Sequence, residues 1–282
     1  MANNAYRFFL PAVVLAALLS GAAPASGGEA VLATHRSLYN FKMTSVDSGA
    51  GITDVNGKMY YEFDDVCDAW TTDQRFTLEY HYPERRPMET SSHFVSWESK
   101  DQNRFSFNSE RQEGGETAEL LRGSVERAGD GTSKADYVRP DDLSFDLPAG
   151  YLLPSGHTME IIRHAEAGDR FFSAVLFDGT DAEGPVEINT FIGKSVTADE
   201  IRKIAADNAK IDVSLLSPKA WHVRMAVFPL RDKDNITPSY EMDLILHDNG
   251  VVSYSLVDYK TFKIAQILTA LETIPAKNCS KR

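Results

Sequence analysis

The feature that most restricts the fold of this chain is a two-residue rhythm of apolar and polar side chains that returns again and again beyond residue 50. Met59, Tyr61 and Phe63 alternate with Lys58, Tyr60, Glu62 and Asp64, and Phe76, Leu78, Tyr80 and Tyr82 alternate with Thr77, Glu79 and His81. Trp221, Val223, Met225 and Val227 form a third such series, and Tyr240, Met242, Leu244 and Leu246 a fourth. Successive side chains of a strand point to opposite faces, so these runs predict antiparallel strands with one face packed and one face wet. Asn56-Gly57 and Asn249-Gly250 lie between alternating runs and can take the positive φ angles of a type I′ hairpin, with Asp130-Gly131 a third candidate. The polar run Glu110 to Glu116, with Gly114-Gly115 inside it, reads as a loop or a long hairpin tip. Links this short predict a meander.

Two segments depart from the rhythm. Ser155, after Pro154, is placed to cap a helix that ends at Gly168 and carries Met159, Ile162 and Ala165 on one face. Thr197-Ala198-Asp199-Glu200 has the form of a capping box leading into Ile201, Ile204, Ala205 and Asn208. The stretch Thr261 to Thr273 fits both periods and is read as a strand. The expected fold is therefore mainly β: a many-stranded antiparallel curved sheet with two short helices covering part of its concave side. No repeat of solenoid length occurs.

The first 25 residues form a separate unit. Arg7 supplies a positive start, Phe8 to Leu19 is apolar except for Pro11, and Ala23-Pro24-Ala25 offers a small-residue cleavage site. The run is shorter than the roughly 20 residues that cross a bilayer. Residues 1–25 are thus read as a secretory signal peptide and 26–282 as one domain, with periplasmic localisation expected. No Cys follows the apolar run to carry a lipid. With 29 Lys and Arg against 41 Asp and Glu, and the basic residues scattered, nucleic-acid binding is excluded as an expectation.

An exported chain meets conditions in which disulfides persist. Cys67 and Cys279 are the two cysteines, separated by most of the chain. A structural bridge between them is the favoured reading, with free thiols and intermolecular bridges as the alternatives. Neither a C-x-x-C redox pair nor four clustered zinc ligands occurs. A bridge would sew together both ends of the mature chain, which favours one continuous domain.

Catalytic chemistry finds little to stand on. His157, Glu160 and His164 share a face of the first predicted helix, but their spacing is not that of H-E-x-x-H, and solvated side chains explain them. His35, His81, His93, His222 and His247 are dispersed. Ser155 beside His157 is explained by a cap, and no G-x-S-x-G or Gly-rich phosphate cradle is present. Asp64-Asp65, Asp141-Asp142 and Asp199-Glu200 fit turns and helix starts. No catalytic residue, metal ligand or cofactor site is assigned. Tyr60, Tyr61, Phe63, Trp70, Phe76, Tyr80, Tyr82, Phe94, Trp97, Phe105 and Phe107 crowd one region; most belong in the core, and a curved sheet lined by them offers an apolar groove for a lipid, acyl chain or peptide.

Cys67-Asp68-Ala69-Trp70-Thr71-Thr72, Leu152-Leu153-Pro154-Ser155-Gly156-His157, Phe171-Phe172 and Phe177-Asp178-Gly179, with a lone distant Cys279, resemble the EipB family of periplasmic cell-envelope integrity proteins. The likeness runs from about His35 to Cys279. It implies a monomeric bent β-spiral or partly open barrel with Cys67 and Cys279 bridged, and it marks Asp68, Trp70 and Thr71 as family motif positions. Ala69 stands where a glycine is frequent, which bears on the local backbone alone. The resemblance implies support of the envelope under stress, alongside periplasmic tetratricopeptide-repeat proteins, and brings no catalytic residues. The expected function is a non-enzymatic periplasmic factor that binds envelope proteins or polymers. A lipid or lipoprotein carrier is the alternative, and a hydrolase acting on envelope material a third reading.

Overall fold

The computed structural model describes residues 31–205, 208–231 and 236–279, so residues 1–25, read above as a signal peptide, lie outside the described residues. Fourteen strands form one antiparallel sheet whose middle is made by the first and last of them, β1 (His35–Val46) and β14 (Phe262–Thr273). From β1 the chain steps outward through β2 (Asp54–Asp65), β3 (Ala69–His81), β4 (Met88–Ser99), β5 (Arg104–Glu113), β6 (Glu116–Arg127), β7 (Ser133–Arg139) and the short β8 (Ser144–Leu147). The second arm starts at the opposite edge and steps inward through β9 (Phe171–Leu176), β10 (Val186–Ser195), β11 (Ala220–Pro229), β12 (Tyr240–His247) and β13 (Val252–Asp258) to β14. The fold is the expected curved antiparallel sheet. It is not closed: β8 and β9 are its edges, and the connection between them spans the gap, with Leu152 N–H donating to Val175 O at 2.8 Å and Phe177 N–H to Leu152 O at 3.1 Å.

Three insertions fill the curve. Helix α1 (Pro154–Ala167) packs Ile161, Ile162 and Ala165 against Trp221, Val223, Leu244 and Leu246 of the second arm. Phe177, from the loop after β9, enters the first arm and meets Phe105, Phe107 and Tyr137. Gly179 follows at φ +68°, where a Cβ would lie 2.5 Å from the Phe107 ring, so close approach and backbone sign both require glycine. Helix α2 (Ala198–Ala205) brings Ile201 and Ile204 onto a third cluster built on Tyr39, Met59, Leu268 and Leu271.

The capping box at α2 is present in full. Thr197 N–H and Oγ1 reach Glu200 Oε2 at 2.8 and 2.7 Å, and Glu200 N–H returns to Thr197 Oγ1 at 3.3 Å. Turn chemistry needs three corrections. Asn56-Gly57 is no turn; it lies inside β2, where Gly57 faces Leu78 of β3 and a Cβ would come within 2.0 Å of Thr77 O. Asn249-Gly250 and Asp130-Gly131 do join neighbouring strands, but the glycines alone take positive φ, at +83° each, so these are not type I′ turns. Both turns carry a bond from the glycine N–H to the carbonyl three residues back, His247 and Ala128 respectively. Gly114 and Gly115, at +60° and +86°, form the tip between β5 and β6, and the flanking Glu110–Glu113 and Glu116 belong to the strands.

Candidate functional site

At the start of α1 the residue that caps is Leu153, whose side chain has no polar atom, with Pro154 in the first turn. Ser155 is therefore not the N-cap. The orphan helical N–H groups turn instead to a carboxylate from another element, Glu98 near the end of β4, 4% exposed. Ser155 N–H donates to Glu98 Oε1 at 3.2 Å and Oε2 at 3.0 Å, Gly156 N–H to Oε1 at 3.4 Å, and the Ser155 hydroxyl to Oε1. Gln102 Nε2 adds a donor at 2.7 Å. A Cβ at Gly156 would stand 2.3 Å from Gln102 Oε1, so a larger residue there would push the Gln102 amide aside. The helix dipole and these donors favour the charged carboxylate, yet burial outweighs them and raises its pKa. Carboxylate and serine face each other, Gln102 Oε1 is buried without a partner among the described residues, and Glu98 and Ser155 border a cavity of about 80 Å³ that is also lined by His35, Tyr61, Thr72 and Thr158.

Of the two α1 histidines, His164 is the one that meets acids. His157 is buried, its Nε2 without a protein partner among the described residues, and burial lowers its pKa to about 4. His164 stacks on Phe172 with centroids 4.4 Å apart, and the His157 ring approaches the same Phe172 at 6.1 Å. It meets Asp169 through Nδ1 at 2.8 Å and Glu160 through Nε2 at 3.6 Å, so the two acids sit on opposite sides of one ring. Among the described residues no three His, Cys, Asp or Glu side chains are placed to hold a metal ion. His35 and His247 are buried with lowered pKa, burial being the cause; His35 Nδ1 lies 2.7 Å from Ala33 O, and His247 lies between Ser217 O and Ser253 Oγ at 2.7 and 2.9 Å. His81, His93 and His222 contact Glu79, Asp73 and Glu200 nearer the surface.

The motif around Cys67 forms the turn between β2 and β3. Cys67 has φ +81° and its N–H donates to Asp65 Oδ1 at 2.8 Å. Its sulfur is bonded to that of Cys279 across a sequence separation of 212 residues. Lys277 Nζ reaches the buried Asp64 Oδ2 at 2.5 Å, so the tail is tied to this hairpin twice. Asp68 is exposed and offers its carbonyl to Lys100 N–H at 2.9 Å. Trp70 stacks on Phe63 at 5.1 Å under Lys100 Nζ, and Thr71 lies in β3 between Asp64 and Trp97. Of the crowded aromatics, Phe63, Phe94, Phe105 and Phe107 are buried, whereas Tyr60 turns to the outer face and bonds Glu62. A trough of about 440 Å³ runs between Phe76 and Phe94 and the loop Thr180–Glu183, with Gln74, Ser92, Ser109 and Arg111 also along it.

Sheet, plug and tail together define a barrel-like β protein whose interior is largely occupied by its own side chains. A family model described as EipB-like matches residues 27–275, and the chain belongs to the EipB-like family. It is similar to the cell envelope integrity protein EipB of Brucella abortus (strain 2308), with 28% identity over 254 residues, 89% of this chain and 88% of the relative. It is also similar to the crystal structure of a β-barrel-like protein of a domain of unknown function from Brucella abortus. There the TM-score is 0.77 at 26% identity, covering 87% of this chain and 100% of that one.

Proposed function

We propose that this chain is exported by its first 25 residues and that residues 26–282 act in the periplasm as one monomeric domain. It supports cell-envelope integrity under stress, without catalysis, by binding other envelope proteins or polymers. The observation that carries this reading is the near full-length kinship with a protein named for envelope integrity. The architecture supports it: the carboxylate of Glu98 is taken up by the N–H groups and hydroxyl at the start of α1. A tetratricopeptide-repeat protein of the same compartment is the partner class that the family resemblance brings. Deleting the gene in its native host should sensitise cells to detergent and to wall-active antibiotics, and re-expression should restore resistance. A deletion strain as resistant as the parent would overturn the proposal. The trough beside Phe76 and Phe94 supports the carrier alternative, for which native protein extracted with organic solvent should release acyl chains in near-stoichiometric amount.

A further inference from the structure

On the outward face of the first arm, Arg122 of β6 and Arg139 of β7 stand directly opposite each other, and both are exposed. Like charges in facing positions of a sheet repel. The chain has 41 acidic residues, yet neither arginine has an ion-pair or hydrogen-bond partner among the described residues. Every other strand arginine is engaged: Arg36, Arg75, Arg111 and Arg224 with carboxylates, Arg127 with backbone carbonyls, Arg104 over the Trp97 ring at 5.2 Å. Asp136 is held by Lys134, and Asp141 and Asp142, two and three residues beyond Arg139, make no ion pair with either arginine.

A shallow trough of about 300 Å³ leads to Arg122 past Val95, Trp97, Ser106 and Asn108. Two exposed apolar side chains border the pair: Leu120, two residues before Arg122 and 40% exposed, and Val138, lifted out by a bulge and 62% exposed. We propose that this face docks an acidic, extended segment of a partner protein, its carboxylates taken by the Arg122 and Arg139 forks and its apolar side chains laid on Leu120 and Val138. The inference rests on the reading of this protein as an envelope binding factor and names its binding face. A guanidinium fork matches a carboxylate with two parallel bonds. An anionic membrane would be a poor occupant, because a flat surface would also approach Glu126, Asp136, Asp141 and Asp142 and meet a protein of net charge −12.

The test is fluorescence anisotropy of the mature protein with a labelled glutamate-rich peptide in which leucine and serine alternate with the acids. Its lysine counterpart and phosphatidylglycerol vesicles serve as separate arms. The acidic peptide should bind, and Arg122→Gln with Arg139→Gln should weaken it by about tenfold, the loss of roughly 1.4 kcal/mol. The lysine peptide and the vesicles should not bind. The melting temperature of the double variant should stay level or rise, as a repelling pair is removed. Arg122→Lys with Arg139→Lys keeps the charge without the fork and should give an intermediate affinity. Absence of acidic-peptide binding, binding indifferent to the double substitution, or vesicle binding that the substitution abolishes would each overturn the assignment. If the deletion strain is stress-sensitive while the peptide fails to bind, this docking face alone falls.

Discussion

In the first arm the strands carry much of the bulk that fills their own curve: Phe94, Phe105, Phe107, Tyr137 and Phe145 pack inward, and Tyr151, Leu153 and Phe177 from outside the strands complete the set. In the second arm most inward side chains other than Trp221 are smaller, among them Ile188, Thr190, Val223 and Leu244, and the space is taken by a whole helix. α1 precedes β9 and Phe177 follows it, and each ties one arm to the other. Phe177 follows the second arm's edge strand but packs in the first; α1 packs in the second but is capped by Glu98 of the first. The arms differ in means and depend on each other for completion, so the molecule should lose its structure as a unit rather than arm by arm.

That dependence can be broken most severely at the one covalent tie between arms. Reduction, or Cys67→Ser, frees a loop of 212 residues and should cost up to about 5 kcal/mol in the loop-entropy account, seen as a large drop in melting temperature. An unchanged melting curve would show that the tie adds nothing to what the sheet already holds. Next in size, Phe177→Ala should destabilise by about 4 kcal/mol through lost contacts and the cavity left behind. Amide exchange should then accelerate in β5–β7 more than in β10–β12, although the residue follows β9. Exchange faster in β10–β12 would reverse the assignment of the filler to the first arm.

The plug of the second arm is the acid-sensitive one. A histidine held neutral by burial binds fewer protons folded than unfolded, so stability should fall as pH drops below the ordinary histidine value of 6.5. For His157 the loss should be complete near its folded value of about 4. That window corresponds to about 3 kcal/mol, an order-of-magnitude figure, and His157→Phe should remove most of it in pH-dependent urea melts. Glu98 works in the opposite sense. Its raised pKa means that stability falls as pH rises through the folded value, so Glu98→Gln should flatten that decline while keeping an acceptor for the Ser155 N–H. Smallest of all, Thr197→Ala removes only the α2 cap and should cost about 1 kcal/mol, with no change in exchange across the first arm.

Strand parity made most of the sheet legible in advance, because one buried face forces alternation at Met59–Phe63 or Trp221–Val227 whatever the partner strand. Parity fails where bulges occur. β14 buries Ile264, Ala265, Leu268 and Leu271, a helix-like spacing, because its register against β1 slips between Leu38 and Tyr39. Asn56-Gly57 misled for another reason: the glycine answers to the close backbone of β3, a contact that sequence alone does not display. Glu98 left a trace that went unread. It shares parity with Phe94 and so points inward, where a lone carboxylate must find donors. Which donors it would find depended on α1 arriving from 57 residues away.

Placing the first strand beside the last has a temporal consequence. As the chain is delivered from its amino end, β1 to β8 can pair in order, but the far side of β1 stays uncovered until residue 262 and beyond arrive. For that interval an unfinished arm presents twelve residues of open edge, from His35 to Val46, to any neighbour able to add a strand. A cell that makes this protein must either deliver the remainder quickly or shield that rim while it waits.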